Sequence, residues 1–145
     1  MKIAVISSCV FPCPPVGYSG LEQLAWQQAE GLGRKGHEVT LVAPDGSRCD
    51  HAAVFPTGPP GQHSEEMAYE KYWKLLPEFD AVIDHSWSKA SLQLKSEGRL
   101  KSPCLCVCHA PVDTMFSSMP PVERPCFICI SEDQGSHFRA LFGRD

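Results

Sequence analysis

Four groups of residues in this chain have types and spacings that could do chemistry. The first is Gly17-Tyr18-Ser19-Gly20, ahead of a helical pattern. Amide groups at a helix N-terminus suit an anion, and glycines let it approach closely; the same residues also make an ordinary turn that caps a helix. The second is His85-Ser86-Trp87 after an apolar run. There a histidine and an indole could bind and stack on a sugar ring or a base, or simply pack in the core. The third is Cys108-His109-Ala110-Pro111. An imidazole leaving a strand can donate a hydrogen bond or act as acid or base near neutral pH, and the spacing fits a core histidine equally well.

The fourth group is the cysteines. Cys104, Cys106 and Cys108 alternate and so share one face of a strand, and Cys126 and Cys129 form a C-x-x-C. Zinc is a conceivable occupant. Against it, Cys126-Phe127-Ile128-Cys129 lies inside an apolar strand that turns the two thiols to opposite faces, and buried cysteine packs as a small hydrophobe. The expectation is free cysteines and no metal site.

These pieces need elements to hold them. Six short apolar runs alternate with helical patterns. The strand readings are Lys2 to Ser7, His37 to Ala43, Ala52 to Phe55, Asp80 to Asp84, Pro103 to Val107 and Cys126 to Ile130. The first is apolar almost throughout, as a strand buried on both faces must be. Ser19 and Glu22 form a capping box that opens a helix with Leu21, Leu24, Ala25, Ala29 and Leu32 on one face, and Gly36 stands where a left-handed C-cap belongs. Ser64 caps a second helix carrying Ala68, Tyr72, Leu75, Leu76 and Phe79 at helical period, with Glu65 and Glu66 in its first turn. A third helix spans Ser88 to Glu97, and Ser131 with Gln134 opens a last one running through Phe138, Leu141 and Phe142 to Gly143. Asp113 to Pro125 reads as a long loop.

The alternation of strand and helix predicts an α/β fold: a doubly wound, mostly parallel, six-stranded Rossmann-like sheet with helices on both faces. Ligands of such sheets sit beyond the carboxyl ends of the strands. The first three groups fall there, and of the cysteines only Cys108 does.

Composition removes several classes. With 145 residues the chain fits a single domain, and 43% hydrophobic residues make disorder a poor reading. A net charge of −4 speaks against a nucleic-acid partner. No apolar run approaches the ~20 residues that span a bilayer, and no basic amphipathic helix supports membrane contact. The short apolar run Ile3 to Ile6, followed by Pro12, Pro14 and Pro15, does not read as a secretory signal, so the expected location is cytoplasmic.

Taken in order, the motifs resemble the N-terminal domain of a GT-B-fold glycosyltransferase of family 4. Pro14-Pro15-Val16-Gly17-Tyr18-Ser19-Gly20-Leu21-Glu22 is similar to that family's proline-rich loop and Gly-Gly-x-Glu helix start. Leu32-Gly33-Arg34-Lys35-Gly36-His37-Glu38-Val39-Thr40-Leu41 resembles its R/K-G-H-E-V-T segment. Phe79 through Trp87 is similar to its D-V-V-H-x-H strand end, with Ile83 in place of the first histidine. Ile130-Ser131-Glu132, with Phe138 and Leu141, resembles its V-S-E helix start. Tyr18 and Ser19 replace a close-approach glycine of the family loop.

The resemblance implies sugar transfer from a nucleotide diphosphate sugar to an acceptor, with retention and without a cofactor or essential metal. It implies that His109 stands near the reacting sugar and that Gly17, Tyr18, Ser19 and Gly20 lie near the donor diphosphate and acceptor. His85, Trp87 and Asp113 would line the acceptor side. Partners would be a small-molecule or glycan acceptor, and a second domain or subunit that holds most of the nucleotide and two glutamates. The sequence ends at Asp145, about where such a half would lead into that domain, so the expectation is no substantial transfer by this chain alone. Exposed apolar residues such as Val16, Phe116 and Met119 would face the second domain. The alternative is a stand-alone module that binds a sugar or an acceptor, or assembles with a partner, without catalysis of its own.

Overall fold

The computed structural model describes residues 1–61, 65–115 and 126–142. The strands are β1 (Lys2–Ile6), β2 (Glu38–Ala43), β3 (Ala53–Pro56), β4 (Ala81–Asp84), β5 (Cys104–Cys108) and β6 (Cys126–Cys129). The helices are α1 (Gly20–Arg34), α2 (Glu65–Tyr72), α3 (Ala90–Ser96), α4 (Val112–Met115) and α5 (Glu132–Phe142), with a 3-10 turn over Leu76–Glu78. The six strands form one sheet in the order β3-β2-β1-β4-β5-β6, and every ladder is parallel. This is the doubly wound α/β arrangement that the alternation predicts.

The apolar character of β1 follows from its place. It pairs with β2 on one side and β4 on the other, and Ile3 to Ile6 are all buried. Alternate residues then serve two cores. Ile3, Val5, Val39 and Leu41 meet Ala25 and Ala29 of α1 on one face. Ala4, Ile6, Val42, Val82, Cys104 and Cys106 meet Ala68 and Tyr72 of α2 and Leu92 and Leu94 of α3 on the other. At the far edge Phe138 of α5 stacks on Phe127 of β6, ring centres 4.6 Å apart.

α1 stops where Gly36 takes φ +85°, with the Gly36 amide donating to Gly33 O and the His37 amide to Leu32 O. Gly33 is fixed by a close approach: a Cβ there would stand 1.9 Å from the carbonyl oxygen of His51. At the start of α5 the Gln134 amide donates to Ser131 Oγ at 3.1 Å, as the capping box requires. Gln134 Oε1 reaches back to the amide of Ile130 (2.9 Å), not to that of Ser131.

Three elements differ from the sequence reading. α2 ends at Tyr72, because Pro77 has no amide to donate and disfavours helical geometry before it. Leu76 and Phe79 still enter the core, so their period reports burial and not a continuous helix. α3 begins at Ala90 because Lys89 is left-handed, φ +48°. α4 occupies the start of what reads as a loop. The Ser64 cap, the side chain of Phe142, Gly143, and Phe116 and Met119 with the rest of the segment to Pro125 lie outside the described residues.

Candidate functional site

The order of strands reverses between β1 and β4, and there the helices leave toward opposite faces. A crevice opens at such a point. Its carboxyl edge carries Ser7 and Ser8 after β1, His85 after β4 and His109 after β5.

The turn after β4 is built around a buried carboxylate. Asp84 accepts from the amide (2.8 Å) and hydroxyl (2.6 Å) of Ser86, and from the amide and hydroxyl of Ser91. Lys89, also buried, donates through Nζ to the carbonyl of Ser86. The amides of Trp87 and Ser88 donate to the carboxylate of Glu65 at 2.9 and 2.8 Å. This bracing turns the Trp87 ring outward, where it is half exposed.

His85 and His109 are neighbours across β4 and β5. His85 Nδ1 lies 2.9 Å from His109 Nε2, and His85 Nε2 lies 2.9 Å from Oε1 of Gln28 on α1. His85 is wholly buried. Burial, with the nearby His109 and the Lys89 ammonium, brings its pKa down to about 3. For His109 burial again leads, Lys89 adds to it and Glu22 opposes, and the pKa falls to about 4. Both rings are therefore neutral at pH 7.

At the start of α1 the Ser19 hydroxyl turns to the carboxylate of Glu22 and makes no cap to the helix backbone. This departs from the expected capping box. Ser8 Oγ also donates to that carboxylate, so Glu22 is drawn inward and buried.

A cleft of about 740 Å³ joins these parts, walled by Tyr18, Ser19, Gly20, Glu22, Trp87 and His109 among others. A second hollow of about 280 Å³ lies on the other side of His109, toward Ser131 and His137. Of the residues picked from sequence, Tyr18, Ser19, Gly20, Trp87 and His109 come together. Gly17 stands just outside the wall, exposed at φ +88°. His85 sits behind His109 and does not reach the cleft. Asp113 is exposed on α4 and lines neither hollow. Phe11, Val16, Tyr18, Trp87 and Ile130 leave an exposed apolar rim.

The sequence model of glycosyltransferase family 4 matches residues 18–145. The chain belongs to glycosyltransferase family 4. No curated protein matches it. The match takes in Tyr18 to Gly20, both histidines and Trp87, while Gly17 and the prolines before it precede the matched residues.

Sequence reasoning did not assign Gln28, Glu22, Glu65 or Lys89 to this family 4 site. Gln28 left a trace: it is a polar residue four after Leu24 and three after Ala25, within the apolar stripe of α1. Glu22 was legible as a cap and as the glutamate of the family's helix-start motif, but not as a wall of the cleft. Nothing local marks Lys89 for burial. The eight cysteines are free, with Cys104, Cys106 and Cys108 buried on one face of β5 and Cys126 exposed on β6. Among the described residues, no helix is long and apolar enough to cross a membrane.

Proposed function

We propose that this domain forms the acceptor-side half of a transferase that moves a sugar from a nucleotide diphosphate sugar to an acceptor, with retention. The observation that carries the reading is a neutral His109 set in the wall of a cleft that also holds the α1 N-terminus. A neutral imidazole at that position can take or share a proton with a sugar hydroxyl without a charge change beforehand. The first amides of α1, not capped by Ser19, supply partial positive charge where a departing diphosphate gathers negative charge. The Trp87 face suits the apolar side of a pyranose ring. The exposed rim of Val16, Tyr18 and Ile130 suits the second domain or subunit that would supply the nucleotide site.

One observation favours a second reading. Glu22 and Glu65 both line the cleft, and two carboxylates suit sugar hydroxyls better than a diphosphate. A sugar-binding module without transfer would use the same walls.

A transfer assay separates the two. The protein is joined to, or mixed with, a nucleotide-binding second domain and given a panel of nucleotide sugars and acceptors. The expected result is release of nucleoside diphosphate and a product of retained configuration, with negligible turnover by the chain alone. Sugar binding at the cleft with no transfer under any pairing would leave the second reading.

A further inference from the structure

The contacts behind His109 form a chain with a direction. Gln28 Oε1 meets His85 Nε2, and His85 Nδ1 meets His109 Nε2, each at 2.9 Å. An amide oxygen can only accept, so His85 must carry its proton on Nε2. A neutral imidazole has one donor and one acceptor nitrogen. His85 Nδ1 is then bare and can only accept, which places the proton of His109 on Nε2. His109 Nδ1 is left without a proton, and no described residue hydrogen-bonds to it. The alternation holds only while neither ring gains a second proton. Burial and the Lys89 ammonium keep both neutral at pH 7.

We propose that Gln28, acting through His85, is a positioning residue that fixes His109 in the Nε2–H form and makes Nδ1 the acceptor nitrogen of the histidine in the cleft wall. With the carboxylate of Glu22 in the same wall, the cleft then offers acceptors to a ligand rich in hydroxyl donors. The assignment of that ligand as a sugar rests on the transferase reading; the proton arrangement does not. The fold explains why α1 can do this. It packs by Ala25 and Ala29, whose small side chains bring the helix close enough to the sheet for Gln28 to reach the end of β4.

The test is long-range ¹H–¹⁵N correlation on protein with ¹⁵N-labelled histidine at pH 7, without substrate. The wild-type chain should show both His85 and His109 as Nε2–H. Gln28→Met, of similar size but lacking the acceptor, should lose that pattern at both rings. Gln28→Glu, which keeps an acceptor, should restore it. His109 found as Nδ1–H in the wild type, or a pattern unmoved by Gln28→Met, would overturn the proposal. The wild-type spectrum alone decides if the methionine variant fails to fold. In a transfer assay Gln28→Met should lower kcat by about tenfold or more with KM within about twofold. An absence of all transfer beside the expected wild-type spectrum would defeat the transferase reading and uphold the tautomer.

Discussion

His85 and His109 occupy the same position in the fold. Each follows the last residue of a parallel strand, β4 in one case and β5 in the other, and the two strands are neighbours. Yet His85 is wholly buried with both nitrogens engaged, while His109 lines the cleft and is held by one nitrogen only. The difference comes from what covers them. Gln28 of α1 reaches His85 at the end of β4, whereas His109 at the end of β5 lines the open cleft. A strand-end histidine is thus assigned its part by the neighbouring helix, and the same residue type serves as support in one place and as working surface in the next.

Removing each ring in turn separates the two histidines most visibly. His109→Ala should reduce kcat of the assembled transferase by about 10²–10⁴-fold, the usual range for a lost proton-transfer group, with a smaller loss of stability that comes from the one nitrogen of His85 left unmet. His85→Ala should act the other way round. It empties a buried site and leaves two polar partners unmet, so denaturant unfolding should show a loss of about 2–4 kcal/mol. Equal stability losses in the two variants would contradict the distinction.

Acid distinguishes the two histidines next. The folded protein holds both rings neutral, with pKa values of about 3 and 4 against 6.5 for a free histidine. The unfolded chain therefore binds more protons below pH 6.5. Stability from this source is complete above that pH and falls as pH drops through 6.5 toward 4 and then 3. Unfolding midpoints measured from pH 7 to pH 4 should decline for the wild type. The decline should be flatter for His85→Gln, which removes the more strongly depressed group; an unchanged slope would count against burial as the cause.

Trp87 should give the smallest effect on the fold. The residue is 50% exposed, so Trp87→Ala should change stability by only about 0.5 kcal/mol, while weakening the binding of a sugar by several-fold. A large loss of stability would make it a packing residue after all.

Much of this was legible beforehand, for physical reasons that differ by element. The strands declared themselves because a central parallel strand must be apolar on both faces, as Ile3 to Ile6 are. The end of α1 was visible because Gly36 adopts a conformation that favours glycine. The end of α2 was obscured because Leu75, Leu76 and Phe79 keep a helical period while Pro77 forces a turn. The site was legible as a set of strand ends and not as a network. Neither the hydroxyl of Ser8 on Glu22 nor the oxygen of Gln28 on His85 follows from local sequence, since each pair is joined only when the sheet and α1 close together.

Whether a sugar enters the cleft between the α1 N-terminus and His109 is decided by titrating ¹⁵N-labelled chain with nucleotide diphosphate sugars and oligosaccharides and following the amide and side-chain shifts. Saturable changes are expected at Ser19, Gly20, Trp87 and His109, with β3 at the far edge of the sheet unmoved. Changes clustered elsewhere, or none with any sugar, would remove the cleft as a sugar site.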